Sequence, residues 1–407
     1  MKASKKALRR FLLASSQLLW TKDKEKPINV NGDQIINMIK SLECVQIDSV
    51  TTVNRNHDLV LASRVKKYSS DCLPQLQEEG RLFEYVANAA CLLPMDDYPI
   101  FESTRRQYRE WHSADLSKNS DIVASILSRI EAEGELPASA FQSNQLVNGY
   151  WDNGAPKTKL TSHLLNLLHD VGTIHIVKRQ GNTRYFDVTE RAVSADLRRQ
   201  AREMSNYESE KYLMEKYMRA YRIFDLSDSR FGWKSHTARR RTELIDEYIK
   251  NGVVVPLDVD GVHRKYFLLA EDAEELFKYE CDDIRVSSNV ITFLPPLDNL
   301  LWRRKRIIDF FDFDYKWEIY IPEKKRKYGS YTMPILEGDR FIGRIDSKID
   351  RKNGEMIINL LELEPGVRRT KKLFSNISKA IVHFSTSNGA KRIKFNSSEL
   401  EALFQDT

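Results

Sequence analysis

Residues 157–188 read KTKLTSHLLNLLHDVGTIHIVKRQGNTRYFDV, and this stretch decides the fold. Leu160, Leu164, Leu165, Leu167 and Leu168 recur at helical spacing, which predicts a helix over 157–170 with an apolar side. Gly172 ends it, because glycine accepts the left-handed conformation of a helix terminus. Thr173–Lys178 and Arg184–Val188 are then strand-like, joined by the turn Gln180-Gly181-Asn182. A final helix followed by a β-hairpin is the order of a winged-helix domain, a module that lays a helix in a DNA groove.

Working outward, the same order recurs. Helices over 207–222 and 235–250 lead through Asn251-Gly252 to a strand Val253–Val259, the turn Asp260-Gly261 and a strand Arg264–Leu269. Two such units in tandem carry more weight than one. Upstream, helices are expected over 121–133 and 137–144. Earlier still come helices over 5–18 and 32–42, the second capped by Asn31 or Asp33. Val45–Val50 alternates apolar and polar side chains like a short strand, and further helices fall at 71–79 and 94–112. The polar stretch Ser113–Ser120 closes this first module. Beyond residue 286, Trp317–Ile321, Tyr331–Leu336, Phe341–Lys348 and Met356–Leu363 are strand-like, followed by a helix over 371–388 and a strand Lys391–Phe395. The expected class is α+β: tandem winged-helix domains with a C-terminal antiparallel β-barrel-like module. Module boundaries are expected at 1–118, 119–200, 201–285 and 286–407.

The net charge of +6 is modest, but its clustering is informative. Basic runs occur at Arg239–Arg241, Arg303–Arg306, Lys324–Lys327, Arg368-Arg369 with Lys371-Lys372, and Lys391-Arg392. Each alone reads as a solvated helix face. Together they point to a polyanion partner. The four cysteines (Cys44, Cys72, Cys91, Cys281) show no CxxC pairing, so reduced thiols are expected and neither a zinc cluster nor another metal or cofactor. No apolar run is long enough for a membrane span, and the N-terminus lacks the pattern of a secretory signal. A cytoplasmic chain follows as the expectation. No Walker loop, dinucleotide fingerprint or nucleophilic triad is present.

Two carboxylate neighbourhoods could carry chemistry. Gln46 and Asp48 flank Ile47, so in an extended segment they share one side while Ile47 faces the core. An amide and a carboxylate on one face can position a water. Spacing alone favours the plainer reading, in which both side chains cap the following segment and hydrogen-bond the backbone. Asp298-Asn299, after Leu294-Pro295-Pro296-Leu297, reads as a loop anchored by side-chain-to-backbone hydrogen bonds.

Residue identities add a resemblance. Val45-Gln46-Ile47-Asp48-Ser49-Val50, followed by His57 and by Leu59-Val60-Leu61-Ala62-Ser63-Arg64, resembles the opening signature of the AlkZ/YcaQ family of bacterial winged-helix DNA glycosylases. Leu82–Tyr85, Ala90–Pro94, Leu294–Trp302, Phe311–Tyr315 and Lys327–Leu336 look like further blocks of it, so the likeness runs from about residue 5 to 395. Asn56 and Asp58 depart from it: they flank His57 where the family pattern has Ala and an aromatic residue or His. The resemblance implies removal of alkylated bases and unhooking of interstrand crosslinks, with Gln46 and Asp48 as the catalytic pair. It also implies a basic concave surface for damaged double-stranded DNA. DNA contacts are expected from His57, Arg64, Arg239, Arg240, Arg241, Lys324, Lys325, Arg326, Tyr328 and Tyr331. Water-based, monofunctional hydrolysis by a monomer is the expected mode. The rival readings are a non-catalytic winged-helix transcription regulator and a metal-dependent nuclease.

Overall fold

The computed structural model describes residues 1–21, 31–148, 157–281 and 284–405. The chain forms two compact units, one made of Met1–Ser69 with Met218–Thr407 and the other of Ser70–Tyr217. The α+β class holds.

In the first unit the helix Lys5–Ser15 starts at Ser4, whose hydroxyl accepts the Ala7 N–H at 3.2 Å. Its apolar stripe (Ala7, Leu8, Phe11, Leu12) is buried against Leu276, Ile307 and Phe310. The helix Gly32–Ser41 is closed by a capping box between Asn31 and Gln34, which decides the choice of cap in favour of Asn31. The helix Asn206–Tyr221 begins in the second unit and ends in the first; after it come the short strand Ile223–Phe224, the helix Ala238–Lys250 and the hairpin Val254–Val259 with Tyr266–Leu269. The short strand pairs with the second hairpin strand, and Lys2–Ala3 adds in parallel to the first. The result is a four-stranded sheet.

The last part of this unit is a five-stranded sheet in chain order: Ile291–Phe293, Thr332–Glu337, Arg340–Asp350, Glu355–Leu363 and Arg392–Phe395. Its final pair is parallel, because the helix Lys371–Ser387 intervenes and returns the chain along the sheet. The barrel-like module expected here is present as a half-barrel sheet, backed by Leu373, Ile377 and Ile381 of that helix, and only its wholly antiparallel pairing is corrected. A bulge between Asp346 and Ser347 interrupts the central pairing. Trp317–Ile321, expected as a strand, is a loop, because the Glu318 carboxylate takes the N–H groups of Tyr328 and Gly329 at 2.8 and 3.2 Å and ties the chain to itself.

In the second unit the hairpin Leu82–Val86 with Ala90–Pro94 leads into the helices Glu102–Lys118 and Ser120–Glu133. The first of these runs through the polar stretch at 113–118, where a module boundary was expected. Nor is 137–144 a helix. Leu136–Pro137 is a strand followed by a single 3₁₀ turn, Ala138–Ala140. The helix Leu160–Asp170 and the hairpin Ile174–Gln180 with Thr183–Val188 form as the leucine pattern and the Gly181 turn require. Leu136–Pro137 pairs with the second hairpin strand, the same helix–strand–helix–hairpin pairing seen in the first unit.

A buried polar cluster stiffens this second unit. Glu84 receives two hydrogen bonds from Arg179, at 2.6 and 2.7 Å, and one from Gln77. Burial pushes the Glu84 carboxyl up, but the Arg179 guanidinium overrides it and holds the group below its usual range. His169 and His175 lie with ring centroids 6.0 Å apart. Burial lowers His169 to about 4 and His175 well below its ordinary value. Both titrate higher once unfolded, so the unfolded chain takes up protons first as pH falls. Stability is fully present above about pH 6.5 and is lost towards pH 4, by roughly 3 kcal/mol for His169 alone. Urea midpoints measured at both ends of that window will differ more for the wild type than for a His169→Gln/His175→Gln variant.

Candidate active site

The Gln46–Asp48 segment leaves the Gly32–Ser41 helix through Glu43, which takes a positive φ of 67° and pairs with Arg219 at 2.6 Å. Only Val45–Gln46 is strand. Side-chain amides grip it. The Asn299 Nδ2 donates to the carbonyls of Leu42 and Cys44 at 3.1 and 2.8 Å, and the Asn56 Nδ2 donates to the Gln46 carbonyl at 2.9 Å. Asn56 in turn accepts the Leu297 N–H at 3.2 Å, which ties the strand to the Pro-Pro loop. Both asparagines are buried, so their amide N–H groups find backbone carbonyls rather than water.

Beneath them lies a fully buried ion pair. Arg64 meets Asp298 with Nη1–Oδ2 at 2.8 Å and Nη2–Oδ1 at 3.1 Å, both side chains being 0% exposed. The same guanidinium also donates to the carbonyls of Ser16 and Val60. Asp298 additionally caps the 3₁₀ turn Asn299–Leu301 through the Leu300 N–H. The anchoring role expected of Asp298-Asn299 is thus what the structure shows.

Asp48 sits at the end of this scaffold, half-buried. Its Oδ1 accepts the Val50 N–H at 2.7 Å, and its Oδ2 accepts no hydrogen bond among the described residues. Burial raises its pKa and the Val50 amide only partly opposes that. Gln46 is buried at 9% exposure while Ile47 is only half-buried, so the expectation that Ile47 is the core-facing residue of the three is corrected. The strand ends at Gln46, and the alternation does not extend to residue 48. Past Asp48, the Thr52 carbonyl accepts the Ile349 N–H and Arg351 donates to the Val53 carbonyl. Val50 and Val53 pack on the core that contains Tyr331. Burial drives the Tyr331 hydroxyl up, and its neighbours Tyr315 and Asp48 push in the same direction. Nearby, Gly329 (φ 122°) lets its turn approach Asp346: a Cβ there would lie 2.5 Å from the carboxyl carbon.

Several residues expected at DNA serve the fold instead. Arg64 is the buried partner of Asp298. His57 and Tyr331 are buried at 6% and 1% exposure. Arg241 caps the carbonyls of Leu226 and His236, and Arg326 those of Ile321 and Ile319. Tyr328 is half-buried with the Arg344 guanidinium 4.0 Å from its ring centre. Arg239, Arg240, Lys324 and Lys325 are exposed, the two arginines reaching Glu243 on their own helix. Sequence reasoning missed Asn56 and Asn299 as holders of the strand. The one signal was Asn56 itself, standing where the family pattern has Ala.

No group of three or more His, Cys, Asp or Glu among the described residues could hold a metal ion. An open groove of about 750 Å³ lies between Asp312, Arg340 and Arg368, but it carries none of these site residues. No described helix is long and apolar enough to cross a membrane.

A family model for AlkZ-like DNA glycosylases matches residues 39–376, which include Gln46, Asp48, Asn56, Arg64, Asp298 and Asn299. The chain belongs to the AlkZ-like DNA glycosylase family. Its fold is similar to that of the Streptomyces sahachiroi DNA glycosylase AlkZ, with a TM-score of 0.58 and 15% identity over 97% of this chain and 100% of that one. The family match therefore places Gln46, Asp48 and the two asparagines inside one shared region.

Proposed function

We propose that this chain is a DNA repair glycosylase that hydrolyses the N-glycosidic bond of alkylated purines of the N7-alkylguanine type. We also propose that it unhooks interstrand crosslinks made at the same atom. The observation that carries this is the Asp48 carboxylate: half-desolvated, fixed through one oxygen, and offering the other two residues past the short strand that Asn56 and Asn299 clamp.

An N7-alkylguanine is already cationic, so its departure needs no strong acid. The C1′–N9 bond breaks with its electron pair going to the base, which leaves neutral. The sugar becomes an oxocarbenium ion. Asp48 stabilises that positive charge and accepts a proton from the water that attacks C1′, while Gln46 orients the water. The products are the free base and an abasic deoxyribose, as in monofunctional hydrolysis. The repeated helix–strand–helix–hairpin units are read as winged-helix modules that grip duplex DNA as a monomer, with Arg239, Arg240, Lys324 and Lys325 on phosphates.

The test is incubation of the protein, in chelator, with a duplex carrying one N7-methylguanine. Free N7-methylguanine and an alkali-labile abasic site are expected. Binding without base release would leave a regulator, and strand cleavage that needs a divalent ion would point to a nuclease.

A further inference from the structure

The side chain of Tyr320 is 84% exposed, and its ring touches the fold by an edge-on contact with Trp317. It is nonetheless held firmly. The Ile321 N–H donates to the Glu318 carbonyl at 2.9 Å, closing a turn with Tyr320 near its tip. The Arg326 guanidinium spans the carbonyls on either side of Tyr320, Ile319 at 3.3 Å and Ile321 at 2.8 Å. The Glu318 carboxylate pins the returning strand through the N–H groups of Tyr328 and Gly329. A rigid turn loses little entropy when its side chain engages a partner.

The ring also has a route to the site. Tyr320 meets Trp317 edge-on with centroids 5.7 Å apart, and Trp317 meets Tyr331 edge-on at 6.3 Å. The Trp317 Nε1–H donates to the Ser330 carbonyl at 3.1 Å, which fixes the middle ring. Trp317 and Val50, two residues past Asp48, pack on the same core as Tyr331. Exposed Lys316 precedes the turn in the chain, and exposed Lys324, Lys325 and Lys327 follow it within seven residues of Tyr320. An exposed aromatic ring on a rigid support among lysines matches the chemistry of a nucleobase and its phosphates.

We propose that Tyr320 is a stacking platform for a base unstacked by distortion of the duplex beside the reacting nucleotide, with the neighbouring lysines on the flanking phosphates. The aromatic contact expected from Tyr328 and Tyr331 is thereby assigned to a residue they support. This rests on the glycosylase reading, and its test does not depend on turnover.

Full-length wild type, Tyr320→Ala, Tyr320→Phe and Tyr320→Trp are titrated against two duplexes, one intact and one carrying a single tetrahydrofuran abasic analogue. Stacking on one base is worth about 1–3 kcal/mol, so Tyr320→Ala weakens binding to the abasic duplex roughly 5- to 150-fold. Affinity for intact duplex changes less than about two-fold, and the Phe and Trp variants keep the preference. The melting temperature stays unchanged, because the side chain is exposed. Equal affinities of Tyr320→Ala and wild type for the abasic duplex would overturn the inference, as would an equal loss on both duplexes. A wild type that prefers the abasic duplex through Tyr320 but releases no base would overturn the glycosylase reading and leave the platform standing.

Discussion

Asp48→Asn lowers the single-turnover rate of N7-methylguanine release by about two to three orders of magnitude, the effect of removing one preorganised electrostatic group. Affinity for the same duplex stays within a few-fold. The substitution is chosen for its shape. An asparagine carbonyl can still accept the Val50 N–H now taken by Asp48 Oδ1 at 2.7 Å, so the turn survives and only the charge is lost. Stability should not fall. Burial raises the Asp48 pKa, which means that the folded state tolerates its charge less well than the unfolded chain does. Removing the charge relieves that cost, and the urea midpoint at neutral pH is expected to hold or rise. Lost activity with unimpaired folding is the pattern of a group retained for chemistry.

The second large effect concerns folding. Asp298→Ala leaves the Arg64 guanidinium charged at 0% exposure and removes the cap on Leu300, and Arg64→Ala strands the carboxylate in the same way. Breaking a buried pair from one side costs about 3–5 kcal/mol. Because the Asn299 donors sit on the same turn, the strand carrying Gln46 loosens too, and base release falls along with the urea midpoint. Replacing both partners by apolar residues, Arg64→Met with Asp298→Leu, removes the stranded charge and is expected to lose less than either single alanine change. A double variant that loses the sum of the two would show that the pair is not coupled.

The helix–hairpin units were legible because each rests on local signals: apolar residues at helical spacing (the leucines of Leu160–Asp170; Leu244, Ile245 and Ile249 of Ala238–Lys250), then a Gly-containing turn. Elements without a local period were missed. In Leu82–Val86 four successive residues, Leu82 to Tyr85, are buried, so alternation is absent. The helix Asn56–Ala62 has only seven residues, six of them buried, which hides its amphipathic face. The parallel last strand depends on a connection that sequence periodicity does not report.

At the site, the Gln46-Ile47-Asp48 run was visible, but its support was not. Asn299 acts from 255 positions away on Cys44, and Leu297 from 241 positions away on Asn56. Arg64 was misread as a DNA contact because its charge was weighed without its neighbours. Leu59-Val60-Leu61 before it and Val65 after it are apolar, and an arginine in that setting needs a buried partner.

The claim that Asp48 acts as a carboxylate is tested most directly by the rate of N7-methylguanine release as a function of pH, with the folded fraction measured in parallel. A carboxyl pushed up by burial must lose its proton to act, so the rate should be flat near neutrality. It should then fall with decreasing pH through an inflection above the ordinary 3.8 of an aspartate, and Asp48→Asn should lack that inflection. A wild-type rate with no dependence on pH through the carboxylate range, or an inflection that survives in Asp48→Asn, would contradict the account.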